Sequence, residues 1–145
     1  MSRLLGTRGI YGLLIMTELA KRYGQTPTSL VKIATSLKLP HSYLEQLVIG
    51  LRRAHLVVAQ RGKEGGYLLT RRPDLISITE ILEALEGPIQ IASCQSPGRC
   101  SLSSSCGMCS FWLDFQRKVH RSLREKTLSD LLSKNYSKAL TQAYE

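Results

Sequence analysis

The order of elements in the first seventy residues constrains this chain more than any other feature. Residues 9–22 (GIYGLLIMTELAKR) are apolar on most faces and rich in helix formers, which predicts a largely buried helix ended by Gly24 and Pro27. Leu30, Ile33, Ala34 and Leu37 then fall at the i, i+3, i+4, i+7 spacing of a short amphipathic helix from Ser29 to Leu37. Lys38-Leu39-Pro40 breaks it. A third helix follows from about His41 to Ala54, with Leu44, Leu47, Val48 and Leu51 as its apolar stripe. Next, Leu56-Val57-Val58-Ala59 and Tyr67-Leu68-Leu69-Thr70 flank the turn Gly62-Lys63-Glu64-Gly65-Gly66, which predicts a hairpin. Helix, helix, tight turn, helix and hairpin is the order of a winged helix-turn-helix, mainly α with a small β-hairpin wing.

Beyond Pro73, Ser77 with Glu80 predicts a capping box opening a fourth helix on Ile78, Ile81, Leu82 and Leu85, and Gly87-Pro88 stops it. From Pro88 to Gly107 the chain is rich in Ser, Gly and Cys without periodicity, as in a functional or disordered loop. Ser110 to Lys126 reads as a long amphipathic helix. Thr127 with Asp130 can cap a last short one carrying Leu128, Leu131 and Leu132, and the polar tail from Asn135 is expected to be mobile. This divides the chain into a DNA-binding unit (1–87), a cysteine-bearing loop (88–109) and a C-terminal dimerisation helix with its tail (110–145). On that long helix Trp112, Phe115, Val119 and Leu123 form an apolar stripe suited to a two-fold homodimer, the alternative being that the helix packs only on its own chain.

Charge sharpens the reading of the first half. The formal net charge is +9, and all of it lies in residues 1–72, with twelve basic and three acidic side chains; residues 73–145 hold eight of each. Such an excess attracts a polyanion by counterion release, although a merely solvated basic surface has the same composition. Double-stranded DNA is the partner the element order favours. Ser42, Tyr43, Glu45, Gln46, Arg52 and Arg53 lie outside the apolar stripe of the third helix and are candidates for reading a major groove, while Arg61 and Lys63 on the wing are placed for the backbone or the minor groove. The wing glycines permit positive φ and leave no side chain between backbone and phosphate. They lack the spacing of a nucleotide-binding loop, and no nucleophile–base pair or dinucleotide fingerprint is present, so an enzyme is not expected. His41, His55 and His120 are scattered singly and read as surface or capping residues. No apolar run approaches the ~18 residues of a membrane span and no secretory signal is evident, so a cytoplasmic protein is expected.

The stretch HSYLEQLVIGLRRAHLV followed by RGKEGGYLL resembles the IscR, NsrR and RirA group of bacterial winged-helix regulators, the Rrf family, and the resemblance runs from about Thr7 to Leu132. It implies that Ser42 and Glu45 occupy DNA-contacting positions of the recognition helix and that Arg61 is the wing arginine. Glu64 departs from the family wing, which often has glycine there, and places a carboxylate where a phosphate would approach.

Four cysteines complete the pattern: Cys94-x5-Cys100-x5-Cys106-x2-Cys109. In a cytosolic chain such clustering points to metal or redox chemistry rather than structural disulfides. Thiolates hold iron–sulfur clusters and zinc, and this spacing is neither the common zinc-finger nor the common ferredoxin run. The resemblance favours an iron–sulfur cluster, since cluster-binding members carry three cysteines matching Cys94, Cys100 and Cys106. The fourth ligand in IscR-type proteins is a histidine three residues on, here Cys109; in NsrR-type proteins it is a carboxylate near the start of the first helix, here Ile10, which cannot ligate. Four thiolates serve [2Fe-2S] and [4Fe-4S] alike. A metal-free thiol switch and a zinc site remain as alternatives. The resemblance further implies that DNA affinity follows the state of this loop, where a coupling of ~1–3 kcal/mol changes affinity roughly 5- to 150-fold.

Overall fold

The computed structural model describes residues 5–92 and 105–133. Its elements run α1 (Thr7–Ala20), α2 (Leu30–Leu37), α3 (His41–Arg53), β1 (Val57–Gln60), β2 (Gly66–Leu69), a 3-10 turn at Pro73–Leu75, α4 (Ile78–Glu86), α5 (Cys109–Glu125) and α6 (Leu128–Leu132). This is a winged helix, with element ends within about two residues of those the sequence predicts. The predicted tail from Asn135 lies outside the described residues.

The apolar periodicities explain the core. Leu44, Leu47, Val48 and Leu51 on α3 are buried against Ile15 and Met16 of α1, Ile33 of α2 and Ile81 of α4. Ser29 accepts a hydrogen bond from the backbone N–H of Lys32 and starts α2; Lys38, in the left-handed region at φ 54°, stops it so that Pro40 can open α3. Buried Glu18 accepts from Lys21 at 2.6 Å and from Ser36 at 3.2 Å, tying α1 to α2.

The wing strands pair antiparallel from Val57↔Leu69 to Gln60↔Gly66. A contact the sequence did not predict extends them. Thr28 and Tyr67 exchange both backbone hydrogen bonds, at 3.1 and 2.9 Å, so the hairpin is anchored to the segment that leads into α2.

Helix α4 is pinned at both ends. The predicted capping box is present: Ser77 Oγ accepts from the Glu80 N–H at 3.2 Å and Glu80 Oε2 from the Ser77 N–H at 2.9 Å. Beside it, the segment after α5 returns to pair Thr127 with Ser77, with Ile78 N–H donating to Lys126 O at 3.0 Å and Leu128 N–H to Ile76 O at 2.8 Å. At the other end, Glu86 Oε1 accepts from the Gly9 N–H at 2.7 Å and supplies the N-terminal cap that α1 lacks from its own residues. Gly87, at φ 81°, then turns the chain away.

Helix α5 has no buried residue. It rests on α4 through Leu123, which packs on Ile78, Leu82 and Ile89. It also meets the start of the cysteine-bearing segment, where the Ile91 N–H donates to Gln116 Oε1 at 3.2 Å and His120 Nε2 lies 2.9 Å from Ile89 O.

Candidate nucleic-acid interface and cysteine site

Burying one stripe of α3 leaves its opposite face to solvent. Ser42, Glu45, Gln46, Arg52 and Arg53 are all exposed there. Tyr43 is only half-exposed, because its ring meets Tyr11 of α1 edge-on at 5.7 Å and helps hold α3 in place. His41 Nδ1 stands 3.5 Å from Glu45 Oε1, one turn along the same face. Exposed Ile49 lies between these polar residues and the two arginines, and offers the face an apolar contact as well.

On the wing, Arg61 and Lys63 are exposed. Neither they nor Arg52 and Arg53 form an ion pair among the described residues, so four guanidinium and ammonium groups are available to an anion. Lys63 also lines a groove of about 320 Å³ with Thr26, Pro27, Lys32, Glu64 and Gly65, between the start of α2 and the wing. Lys32 was not among the sequence candidates. Its exposure on the first turn of α2 was legible, but its meeting with Lys63 depends on the hairpin folding back onto Thr28. Glu64 lines the same groove and lowers its positive potential.

The wing glycines serve the packing of the chain itself as well as its conformational freedom. Gly62 does use a positive φ, of 131°. A Cβ on Gly66, however, would lie 2.4 Å from the backbone of Thr28, and one on Gly65 would lie 2.4 Å from Gln60 O. The chain's own backbone already requires these two glycines.

Of the scattered histidines, His55 makes the turn from α3 to β1 at φ 56°, and its carbonyl accepts from Thr70 Oγ1 at 2.6 Å. His120 braces α5, with its Nδ1 4.0 Å from Glu83.

Cys106 is half-buried and Cys109 exposed as the first residue of α5; both are free thiols. Cys94 and Cys100 lie outside the described residues. Among the described residues no three His, Cys, Asp or Glu side chains converge. Gly107 does not take a left-handed φ, and Met108, at φ −95°, ψ −7°, enters α5 in right-handed backbone.

The apolar stripe of α5 divides in two. Trp112, Val119 and Leu123 are half-buried, Leu123 against α4 and Trp112 edge-on to Phe111 and Phe115 with centroids at 5.0 and 6.5 Å. Phe115 is 43% exposed and stacks on Phe111, 53% exposed, with ring planes 2° apart and centroids at 6.2 Å. Phe111 was not in the predicted stripe. With 3.6 residues per turn it stands roughly 100° from Trp112, outside a narrow stripe but next to Phe115.

No helix among the described residues is long and apolar enough to cross a membrane. A family model for Rrf2, an iron-dependent transcriptional regulator, matches residues 5–134. The HTH-type transcriptional regulator CymR of Bacillus subtilis is 41% identical over 143 residues, 97% of this chain and 96% of that protein. The solved structure of CymR, described as the global cysteine regulator of B. subtilis, superposes with a TM-score of 0.74 at 40% identity, covering 90% of this chain and 96% of the other. IscR of T. potens superposes with a TM-score of 0.69 at 35% identity, covering 88% and 85%.

Proposed function

The chain belongs to the Rrf2 family of transcriptional regulators, and from that premise we propose that it is a cytoplasmic homodimer that binds a DNA operator through α3 and the wing, under the control of an iron–sulfur cluster held by Cys94, Cys100, Cys106 and Cys109. Its relatives and fold neighbours are regulators, not enzymes. The observation that carries the cluster reading is the donor set. Four thiols fall within sixteen residues, and the two described ones, Cys106 and Cys109, are free, lie outside the core and stand at the entry to α5. Soft thiolates of this number suit an iron–sulfur core.

When bound, such a cluster supplies an iron- and redox-dependent link among the four thiolates. The rest is done by the chain. The cysteine-bearing segment leaves α4 at Gly87, touches the middle of α5 through Ile89 and Ile91, and re-enters at Cys109. Drawing its cysteines together fixes both ends of that segment against one helix. The exposed Phe111 and Phe115 carry that helix into contact with a second copy, so the spacing of the two α3 helices follows the state of the loop.

The test is the absorption spectrum and iron and sulfide content of anaerobically purified protein. A red-brown protein is expected, with the chromophore abolished in Cys94→Ala, Cys100→Ala and Cys106→Ala and lost or strongly destabilised in Cys109→Ala. Colourless protein without iron or sulfide overturns the cluster. Separately, Arg61→Ala and Glu45→Ala should weaken or relax operator binding by ~1–3 kcal/mol; if neither does, α3 and the wing are not the reading elements.

A second reading is favoured by the B. subtilis relative, whose description as a cysteine regulator names no metal. In that reading the cysteines act as metal-free thiols, the protein is colourless, and its DNA affinity follows thiol oxidation. Zinc would also leave it colourless but would appear in metal analysis.

A further inference from the structure

Cys106 and Cys109 are spaced as a C-x-x-C pair, with Cys109 the first residue of α5 and Cys106 just before the helix. The backbone between them is a tight turn. Met108, at φ −95° and ψ −7°, has the values of the third residue of a type I turn, and Gly107 before it is not left-handed. Such a turn brings its first and fourth α-carbons within about 7 Å, close to the roughly 4.4–6.8 Å that a disulfide spans. Both thiols are free, and they differ in access: Cys109 is exposed and Cys106 half-buried.

We infer that Cys106 and Cys109 form a dithiol–disulfide couple of their own, oxidised by low-molecular-weight disulfides such as glutathione disulfide. The thiolate of Cys109, the more accessible, attacks one sulfur of the oxidant. A mixed disulfide forms and one small thiolate leaves, taking up a proton. The thiolate of Cys106 then attacks the Cys109 sulfur, closing the Cys106–Cys109 bond and expelling the second small thiolate. The pair loses two electrons and two protons, and the oxidant becomes two thiols. The inference stands apart from the cluster reading. Where both hold, the oxidised pair removes two of the four ligands, so the chain cannot be loaded until the bond is reduced.

Cyanogen bromide supplies the test, because Met108 separates the two cysteines and Cys109 is the last in the chain. The full-length protein is stripped of metal, reduced, equilibrated anaerobically with glutathione and glutathione disulfide, alkylated and cleaved. Fragments 17–108 and 109–145 should remain joined without reductant, with two of four thiols protected from alkylation. The same glutathione ratio should half-oxidise the double variant Cys94→Ser/Cys100→Ser, and Cys106→Ser should release the fragments. Separate fragments in the native chain, fragments still joined in Cys106→Ser, or two 109–145 fragments joined to each other would each overturn the pairing. Joined fragments from a protein that never takes up iron would sink the cluster reading and keep this one, whereas a red-brown protein with separate fragments would do the reverse.

Discussion

Helices α3 and α5 are both amphipathic, thirteen and seventeen residues long, yet they are used in opposite ways. The apolar stripe of α3 is covered by its own chain, with Leu44, Leu47 and Leu51 fully buried. That of α5 is half covered along one edge and left open along the other, where Phe111 and Phe115 stack in solvent. Periodicity announces that a helix has an apolar face; it does not say what lies against it. The element proposed to read DNA is thus packed entirely by its own chain, whereas α5 keeps an apolar edge open, which is the surface the proposed dimer would use.

That contrast can be broken most directly in the core. Leu47→Ala should lower the unfolding free energy in urea by about 2–5 kcal/mol, as truncation at a fully buried site does, whereas Phe111→Ala should change it by no more than about 0.5 kcal/mol at concentrations where the protein is monomeric. Equal losses would mean that α5 is part of the same core. On the α5 side, Phe115→Asp should weaken self-association at least tenfold, or about 1.4 kcal/mol, in sedimentation equilibrium while circular dichroism stays that of the folded protein. An unchanged dimer would take Phe115 out of the interface.

The joint between the two regions should respond more mildly. Ser77→Ala removes the cap of α4 beside Thr127 and should cost about 1 kcal/mol of stability in thermal or urea unfolding. The smallest effect is one of pH. Burial pushes the Glu80 carboxyl up, but hydrogen bonds from Arg71 and from Ser77, with the Arg71 charge, outweigh it and hold the group below its ordinary value. A depressed carboxyl stabilises the fold above its unfolded pKa, about 4.3, and that contribution is lost as the pH falls through the folded value. The stability gap between the native chain and Glu80→Gln should therefore narrow between pH 6 and pH 3; a constant gap would show that the charge on Glu80 contributes nothing. With this side chain 42% exposed, solvent screening keeps the effect small.

What the sequence made legible was local. The stripes of α2, α3 and α4, the Ser77–Glu80 box and the stop at Gly87 each follow from residues within a few positions of one another, and each appears where expected. The contacts that hold the pieces together were not legible, because they join distant residues by backbone or by chance of direction: Thr28 with Tyr67, Gly9 with Glu86, Thr127 with Ser77. The same limit governs the candidate site. Exposure of Ser42, Glu45, Arg52 and Arg53 follows from the α3 stripe. By contrast, the commitment of Tyr43 to Tyr11, the groove shared by Lys32 and Lys63, and the structural need for Gly65 and Gly66 depend on which surfaces meet in space.

The pairing of Thr127 with Ser77 clamps the C-terminal end of α5. Leu123, His120 and Gln116 brace the helix further along, so at 1.5 Å per residue the seven-residue step from Gln116 out to Cys109 leaves an arm of about 10 Å. A bend of about 10° beyond Gln116 therefore sweeps the cysteine end through about 2 Å, a displacement comparable to the helix shifts by which subunit interfaces change state. On the proposed reading, the cysteines act where a given force has the greatest leverage, at the free end of the beam.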